Sequence, residues 1–505
     1  MCAASSPNII LIFADDLGYG DVSCMNPSSG IHTGNIDKIA DEGMRFTDCH
    51  SSSALCTPSR YGLLTGRYNW RSRLKSSVLP GQSFPLLEDG RETIASLLKK
   101  RGYKTAVVGK WHLGLGWQTK GGYTLPATYD DPNMDQDKCF AGIDFTAPLT
   151  DCPNQHGFDY FYGIPASLDQ PPFVHIENNR CAAAPDHIIG VKNLARHSPG
   201  QQFDVEYGPA EPGFDPIKIV PEMDEKVLSL VDEYAAGDNP FFIYYPTPAV
   251  HGPLVPDENF RGKSGLNEYA DFVLQLDHFV GRLMRRLEEK NIADDTILIF
   301  TSDNGCSPVA DFPTLISKGH NPSYIYRGWK ADIWEGGHRI PFVIRWPGHI
   351  PEGTTCSQLT CLTDLFATIA DITGSGYGDN AGEDSISFLR NLLGENVPIR
   401  EDIVSHAATG AFAIRKGPWK LELVRGSGGM RPPVTDESLP KYQLYHLGGD
   451  VTERYNLYGT KHPDIECELL ALLDKYVREG RSTPGKPQEN CPCENWPGLD
   501  WMADL

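Results

Sequence analysis

Residues 8–16 read NIILIFADD, a nearly continuous apolar run followed by two aspartates. A strand that is buried on both faces of a parallel sheet has this kind of run. Similar runs recur along the chain, and apolar residues repeat at helical spacing between several of them. This alternation predicts an α/β fold with a large, doubly wound, mixed sheet flanked by helices. The predicted strands cover residues 8–14, 105–108, 241–245, 296–300 and 341–346, and the predicted helices cover residues 35–43, 92–101 and 269–287.

The composition changes near residues 375–400, which indicates a boundary between two domains. Residues 1–385 are predicted to form the large α/β domain, and residues 386–505 a smaller α+β domain of antiparallel strands and one helix. In the smaller domain, strands are predicted at 411–415, 419–424 and 442–446, and a helix at 464–478. Two stretches, 117–155 and 168–215, have no clean period, and loops of that length usually serve as lids or binding loops.

The chain of 505 residues carries a net charge of −21. An acidic surface repels nucleic acid and anionic membranes, so neither is expected as a partner. No apolar run approaches the roughly 20 residues that a membrane span needs. Residues 1–6 lack the basic and apolar regions of a leader, which predicts a cytoplasmic protein if the chain is complete and a periplasmic or secreted one if a signal peptide was removed. A further interpretation takes Cys2 as the remnant of a lipoprotein start.

Polar side chains follow the predicted strands at the edge where ligands bind in open α/β sheets. Taken singly, each has an ordinary structural interpretation, because Asp-Asp and Asp-Asn-Gly are common in turns and helix caps. Together, three carboxylates and an amide make an oxygen-only site that suits Ca²⁺ or Mg²⁺ better than Zn²⁺. Cations and histidines around such a site suit the cleavage of an oxyanion ester. The oxygen ligands are Asp15, Asp16, Asp303 and Asn304, and the residues around them are Lys110, His112, His251 and Lys330.

Residues 56–67 read CTPSRYGLLTGR. Pro58 favours the first turn of a helix, so Cys56 is predicted at a helix N-terminus, where free N–H groups favour an anion. Arg60 follows one turn later on the same face. The plain alternative is a reactive thiol, which would need a nearby base and usually an acyl substrate. The other cysteines, out of thirteen in the chain, form no zinc-binding pair and are expected mostly as buried free thiols with one or two disulfides.

The C-T-P-S-R motif followed by x-x-L-L-T-G-R resembles the signature of the type I, formylglycine-dependent sulfatases, the arylsulfatase A-like group of the alkaline phosphatase superfamily. The resemblance covers nearly the whole chain and implies the alkaline phosphatase-like sulfatase fold, with catalysis in the larger domain. The matching segments are residues 7–20, 109–114, His251, 301–305, Lys330 with 335–337, and, near the C-terminus, 444–447 with Glu453, Asn456 and Leu457.

The resemblance implies that Cys56 is oxidised to formylglycine by a separate formylglycine-generating or anaerobic sulfatase-maturing enzyme. The hydrated aldehyde would carry two hydroxyls on one carbon. One hydroxyl would attack sulfur and displace the alcohol, and the other would drive elimination of sulfate and regenerate the aldehyde. A serine could perform only the first half and would stay trapped as a sulfate ester.

The resemblance also assigns roles to the residues at the strand ends. Lys110 and Lys330 would clamp sulfate oxygens, and Arg60 would steady the formylglycine. His251 would protonate the leaving alcohol, and His112 would assist the elimination. The metal, Ca²⁺ or Mg²⁺, would lower the pKa of the attacking hydroxyl, and Asp303 would take its proton. The ligands of that metal would be Asp15, Asp16, Asp303 and Asn304.

The expected substrate is a sulfate monoester, above all a sulfated saccharide such as a galactose or N-acetylgalactosamine sulfate. Ser167 matches a polar residue beside the sulfate pocket of the family. Four residues of the long loops are candidates for contacting the sugar because of their position and type: Trp117, Asp169, His175 and Arg180.

Two other functions stay open at this point. A phosphatase or phosphonate monoester hydrolase of the same superfamily would share the fold, although phosphatases of that group generally carry a serine or threonine nucleophile and a zinc-rich site. A sulfated-glycan binding protein that is never matured would keep the pocket and bind without turnover.

Overall fold

The computed structural model describes residues 6–129, 131, 134–190, 207–434, 436–493, 496 and 498–504. In this part of the chain the strands are β1 (Asn8–Ala14), β2 (Met44–Phe46), β3 (Cys49–His50), β4 (Lys104–Lys110), β5 (Tyr160–Ile164), β6 (Ile176–Glu177), β7 (Arg180–Cys181), β8 (His187–Gly190), β9 (Tyr207–Ala210), β10 (Phe241–Pro246), β11 (Thr296–Ser302), β12 (Phe342–Arg345), β13 (Thr354–Cys356), β14 (Thr360–Cys361), β15 (Asp402–His406), β16 (Phe412–Lys416), β17 (Trp419–Glu422) and β18 (Gln443–His446). The α-helices are α1 (Gly34–Asp41), α2 (Cys56–Thr65), α3 (Ile94–Lys99), α4 (Gln136–Gly142), α5 (Pro216–Ala235), α6 (Glu268–Glu289), α7 (Phe312–Ser317), α8 (Glu335–His338), α9 (Asp364–Thr373), α10 (Leu389–Leu392) and α11 (Pro463–Glu479).

A large sheet of ten strands organises the molecule, in the order β13-β2-β12-β11-β1-β10-β4-β5-β6-β7. Strand β1 lies parallel between β10 and β11, and the parallel arrangement continues through β4 and β5. Strand β12 runs antiparallel to β11, so the sheet is mixed. The large mixed sheet flanked by helices that the sequence predicts is therefore confirmed.

The two faces of β1 supply two hydrophobic cores. Ile10 and Ile12 belong to the core that includes the apolar residues of α5 and α6. Ile9, Leu11 and Phe13 belong to the core on the opposite face, with residues of α2, α3 and α9. Each of these side chains is fully buried, which stabilises the fold by about 1.5–3 kcal/mol per side chain. The end of β1 is thereby held rigidly in the middle of the sheet.

The C-terminal part of the chain forms a four-stranded antiparallel sheet in the order β15-β16-β17-β18. Helix α11 packs against it through buried residues such as Leu469 and Leu473. This confirms the smaller α+β unit with one helix. The domain boundary at 385/386 stays a prediction; Phe388 and Leu392 pack in a core of the large sheet.

Helix α5 and strand β5 are not expected from the sequence. Helix α5 follows a Pro- and Gly-rich stretch and contains Pro221 in its interior, which weakens its helical pattern. The two stretches without a clean period also contain short elements, α4 and β6 to β9. They are not predicted from the sequence, because elements this short show no measurable period. Residues 191–206, in the second stretch, lie outside the described residues.

No helix in the described part of the chain is long and apolar enough to cross a membrane. The eleven cysteines whose side chains the structure describes are free, so the one or two disulfides expected from the sequence are not found among them. Cys2, the candidate lipoprotein residue, lies outside the described residues.

Asp224, on helix α5, is a buried carboxyl whose Oδ1 accepts a hydrogen bond of 2.6 Å from the Tyr245 hydroxyl. Burial raises the pKa of Asp224 from 3.8 to about 8. A raised pKa means that the folded protein holds a proton which the unfolded chain releases. The resulting stabilisation is present in full at acid pH and is lost as the pH rises from about 4 to about 8, by about 1.4 kcal/mol per pH unit.

We expect the substitution Asp224→Asn to raise the free energy of unfolding at about pH 8 by roughly 2 kcal/mol, because the neutral amide avoids an ionisation penalty. At about pH 4 the variant and the wild type should be equally stable, since both side chains are then neutral. Urea unfolding over this pH range measures the difference. The control is Asp232→Asn on the same helix, because Asp232 is only half-buried and is paired with Arg286 and Lys290. A stability difference that does not grow with pH would contradict the expectation.

Candidate active site

The candidate site lies at the carboxyl ends of the parallel strands. Asp15 follows β1, Asp303 follows β11, and Lys110 is the last residue of β4. All three side chains are fully buried. Polar groups in such a position are stable only when they are paired with one another or with a ligand. The sheet thus brings together at one edge residues that are nearly 300 positions apart in the chain.

Four oxygen-bearing side chains form the centre of the site. Asn304 donates to Asp16 Oδ1 at 2.8 Å, and the backbone N–H of Asp16 donates to Asp303 Oδ1 at 3.1 Å. Asp16 has a φ of 61°, a left-handed conformation that these contacts hold in place. Two buried oxygens, Asp15 Oδ1 and Asn304 Oδ1, have no hydrogen-bond donor among the described residues. A group of hard oxygens with two of them unpartnered fits Ca²⁺ or Mg²⁺.

Each carboxylate of this group is paired with a cation. Lys110 Nζ lies 2.6 Å from Asp15 Oδ2, and Lys330 Nζ lies 2.8 Å from Asp16 Oδ2. Arg60 Nη2 lies 2.7 Å from Asp303 Oδ2. Three cations beside one group of oxygens could also hold the oxygens of an anionic ester.

The two carboxyls nearest Arg60 have pKa values shifted in opposite directions. Burial acts to raise the pKa of Asp15, but Lys110, His251 and Arg60 outweigh it and hold that pKa below its ordinary range. Burial and the neighbouring charge of Asp15 raise the pKa of Asp303 above its ordinary value. Of the two carboxyls, Asp303 is therefore the one that more readily takes up a proton.

Cys56 is the first residue of helix α2 and is 2% exposed. Its place at the helix N-terminus and Arg60 one turn later agree with the pattern expected from the sequence. Burial raises the pKa of the Cys56 thiol above its ordinary value, although Lys110 and Lys330 act to lower it. The thiolate is the nucleophilic form of cysteine, so an unmodified Cys56 is a poor nucleophile here.

Two histidines complete the site with different hydrogen bonds. His112 Nε2 donates to the Leu79 carbonyl at 2.9 Å, which leaves Nδ1 buried and without a partner among the described residues. Burial and the charges of Lys110 and Arg60 hold the pKa of His112 well below its ordinary value, so His112 is neutral with a free lone pair. His251 Nδ1 donates to the Gly252 carbonyl at 2.7 Å, and its Nε2 lies 3.5 Å from Asp16 Oδ2.

The residues predicted to contact the substrate are spread over different environments. Ser167 is 3% exposed, and its hydroxyl has no hydrogen-bond partner among the described residues. Asp169 Oδ1 lies 3.8 Å from His251 Nδ1. Trp117 is buried and donates to the Gly81 carbonyl at 3.2 Å. His175 is buried against the carboxylate of Glu211. Arg180 is exposed on β7, with its guanidinium 3.4 Å from the Thr146 carbonyl.

Two groups that hold the site together are not predicted from the sequence. The Leu79 carbonyl fixes the tautomer of His112, and no pattern in the sequence links the two residues. Asp332 accepts hydrogen bonds from the backbone N–H groups of Trp329, Met430 and Arg431 at 3.0–3.1 Å, and so fixes the loop that carries Lys330. Its position two residues after Lys330 is the one sequence signal that points to it.

The chain is similar in sequence and in fold to known proteins. A family model described as sulfatase matches residues 7–375. An N-acetylgalactosamine-6-O-sulfatase of Bacteroides thetaiotaomicron is 35% identical, over 93% of this chain and 93% of the relative. Human arylsulfatase A is 32% identical, over 97% of this chain and 92% of the relative. A solved sulfatase structure from work on glycosaminoglycan metabolism by Bacteroides thetaiotaomicron is 34% identical, covers 94% of this chain and 99% of its own, and has a TM-score of 0.80.

Proposed function

Because the chain belongs to the sulfatase family, we propose that this sulfuric ester hydrolase removes the 6-sulfate from N-acetylgalactosamine residues of a sulfated glycan. The observation that carries the proposal is the 35% identity, over 93% of both chains, to an enzyme named for that reaction. A galactose 6-sulfate is the second candidate substrate, because galactose has the same ring and the same 6-hydroxyl position as N-acetylgalactosamine.

The proposed nucleophile is the hydrate of a formylglycine made from Cys56 by a formylglycine-generating or anaerobic sulfatase-maturing enzyme. The hydrate supplies one hydroxyl to attack sulfur and a second to expel the sulfate afterwards. The raised pKa of the Cys56 thiol supports this proposal, because the unmodified residue would be largely protonated at neutral pH. A buried position at a helix N-terminus also favours the negative charge that develops on the attacking oxygen.

The residues proposed to hold Ca²⁺ are Asp15, Asp16, Asp303 and Asn304. The unpartnered oxygens of Asp15 and Asn304 support this assignment, since burying them without a ligand would be costly. The ion, when bound, supplies a positive charge beside the attacking oxygen and the sulfate. Asp303, whose Oδ2 lies 2.7 Å from Arg60 Nη2, is the proposed acceptor of the proton from the attacking hydroxyl.

The cations and histidines are proposed to act on the two ends of the ester. Lys110 and Lys330 bind the sulfate oxygens, and Arg60 orients the nucleophile from the adjacent turn of α2. Neutral His112 accepts a proton at its free Nδ1 when the second hydroxyl reacts. His251 donates a proton from Nε2 to the leaving sugar oxygen, because its Nδ1 is occupied by the Gly252 carbonyl.

A substrate screen with the matured enzyme tests the proposal. The panel consists of the 6-sulfate and the 4-sulfate of N-acetylgalactosamine, galactose 6-sulfate, an aryl sulfate and an aryl phosphate. We expect kcat/KM for N-acetylgalactosamine 6-sulfate to exceed that for the 4-sulfate by about 100-fold or more, because a sulfate at another ring position cannot meet the nucleophile and the lysines while the sugar keeps its own contacts.

Three results would refute the proposal, each in a different way. Faster turnover of the aryl phosphate than of the aryl sulfate would indicate a phosphatase or phosphonate monoester hydrolase. Binding of the sulfated sugars without turnover, by protein from its native host, would indicate an unmatured glycan-binding protein. A preference for another sulfated sugar would keep the reaction and change the substrate.

A further inference from the structure

The backbone around Asp16, one of the proposed calcium ligands, is held by side chains that no step of the proposed reaction uses. Asp16 is 1% exposed and has a φ of 61°, where a residue other than glycine is strained unless its surroundings hold it. Its N–H donates to Asp303 Oδ1 at 3.1 Å, inside the proposed metal site. The next two backbone groups, the carbonyl of Asp16 and the N–H of Leu17, contact side chains outside that site.

Ser302, the last residue of β11, joins the two loops that carry the proposed ligands. Its fully buried hydroxyl accepts the N–H of Leu17 at 3.1 Å and donates to the carbonyl of Asn304 at 3.0 Å. One oxygen atom therefore fixes the residue after Asp16 against the backbone of a second proposed ligand. An alanine at this position would remove both hydrogen bonds, because it has neither a donor nor an acceptor in its side chain.

Tyr269 holds the loop after β1 from helix α6. Its hydroxyl lies 2.5 Å from Asp21 Oδ2 and 3.2 Å from the carbonyl of Asp16, so its single proton is shared between the two oxygens. Asp21 is itself fixed, because Oδ2 also accepts the N–H of Gly18 at 2.7 Å and Oδ1 accepts a hydrogen bond of 2.7 Å from His320 Nε2. The ring of Tyr269 belongs to the hydrophobic core, so the loop is tied to a rigid part of the fold.

We propose that Ser302 and Tyr269 are positioning residues, which hold Asp16 in its strained conformation so that Asp16 and Asn304 are set to bind one divalent cation. This inference rests on the proposed function for the metal site and adds the residues that set the affinity of that site. Neither side chain is among the proposed ligands. Groups that orient metal ligands from outside the coordination sphere change metal affinity by about 10-fold to 100-fold when they are replaced.

A positioning role and a purely structural role of these hydroxyls differ in what they change. A hydroxyl that only stabilises the fold lowers the Tm equally with and without calcium, and its loss leaves the Kd for calcium unchanged. A hydroxyl that holds a ligand in place raises that Kd when it is lost. The stabilisation of the folded protein by a fixed concentration of calcium then falls as well, because it depends on the ratio of calcium concentration to Kd.

Calorimetric titration of the chelated protein with calcium tests the inference. The variants are Ser302→Ala and Tyr269→Phe, each of which removes one oxygen atom and keeps the rest of the side chain. We expect the Kd for calcium to rise by about 10-fold or more in Ser302→Ala. The rise should be smaller in Tyr269→Phe, because the lost proton also serves Asp21. In both variants kcat should fall at low calcium and recover most of its wild-type value at saturating calcium.

The control for Ser302→Ala is Thr105→Val, near the start of β4 and at the opposite end of that strand from Lys110. The Thr105 hydroxyl is also fully buried, accepts the N–H of Asp159 at 3.0 Å and donates to the carbonyl of Gly157 at 2.7 Å. Its loss removes the same kinds of hydrogen bond away from the site. The change should lower the Tm and leave the Kd for calcium unchanged.

The control for Tyr269→Phe is Tyr103→Phe, because the buried Tyr103 hydroxyl donates to the carbonyl of Pro7 at 2.9 Å. This change should also leave the Kd for calcium unchanged. If Ser302→Ala and Tyr269→Phe bind calcium as tightly as the wild type, the inference is wrong and the proposed metal site stands. If the wild type binds no calcium, the metal site of the proposed function fails and the inference fails with it.

Discussion

Replacing Cys56 with serine is expected to lower kcat for sulfate release by roughly four orders of magnitude, because the replaced group is the proposed nucleophile. A serine hydroxyl could attack sulfur once, but it has no second hydroxyl on the same carbon to expel the sulfate. The variant should therefore release at most one equivalent of the alcohol and remain as a sulfate ester. Steady-state rates and the intact mass of the protein after incubation with an aryl sulfate measure both effects.

The matched control for this variant is Cys356→Ser. Cys356 is a free, largely buried cysteine on β13, at the edge of the sheet away from the site. Its replacement should leave the rate of turnover unchanged. If Cys56→Ser retained multiple turnovers at a rate within about tenfold of the wild type, formylglycine could not be the nucleophile.

Removal of the divalent cation is expected to lower kcat by roughly 100-fold to 1,000-fold, because a metal ion contributes several kcal/mol of charge stabilisation in such sites. Folding should respond as well, since a ligand at about 100 times its Kd stabilises the folded protein by about 2.7 kcal/mol. Calcium titration of the chelated protein should therefore raise the Tm, and calorimetry should give one binding event.

Asp15→Asn tests the assignment of the ligands. The amide keeps the shape of the side chain, removes a charge from the proposed calcium site and leaves Lys110 without its partner at 2.6 Å. The calcium-dependent rise in Tm should be lost. The control is Asp277→Asn, a buried carboxyl that caps helix α1 through the N–H groups of Asn35 and Ile36, and it should lower stability but keep the response to calcium. An undiminished response in Asp15→Asn would refute the assignment.

The core of the candidate site could be located from the sequence because each of its residues follows or ends a strand that can be recognised from its own few residues. A continuous apolar run predicts a buried strand, and the carboxyl ends of neighbouring parallel strands meet at one edge. Asp15, Lys110 and Asp303 each follow or end such a strand, so their meeting needs no knowledge of loops. The fold class is confirmed for the same reason.

The surroundings of the site could not be predicted because they depend on contacts between distant loops. Whether Trp117 faces a ligand or packs inside is decided by the loop geometry that brings its N–H to the Gly81 carbonyl. The state of His112 depends on the Leu79 carbonyl, and the position of Arg431 depends on Asp332. None of these contacts leaves a period or a spacing in the sequence.

Short elements and helices that contain proline could not be predicted from the sequence for a related reason. Helix α5 contains Pro221, yet its buried face of Ile219, Met223 and Val227 packs on the sheet, and this packing outweighs the lost backbone hydrogen bond. Tertiary burial of an apolar face contributes more to such a helix than local propensity does.

Mass spectrometry of the tryptic peptide 46–60, in protein purified from its native host, shows directly whether Cys56 is converted to formylglycine. We expect a peptide in which the side chain of Cys56 has become an aldehyde, with the loss of sulfur visible in the mass and trapping by a hydrazine reagent. A peptide found entirely with unmodified cysteine, in protein that still hydrolyses sulfate esters, would contradict the formylglycine mechanism.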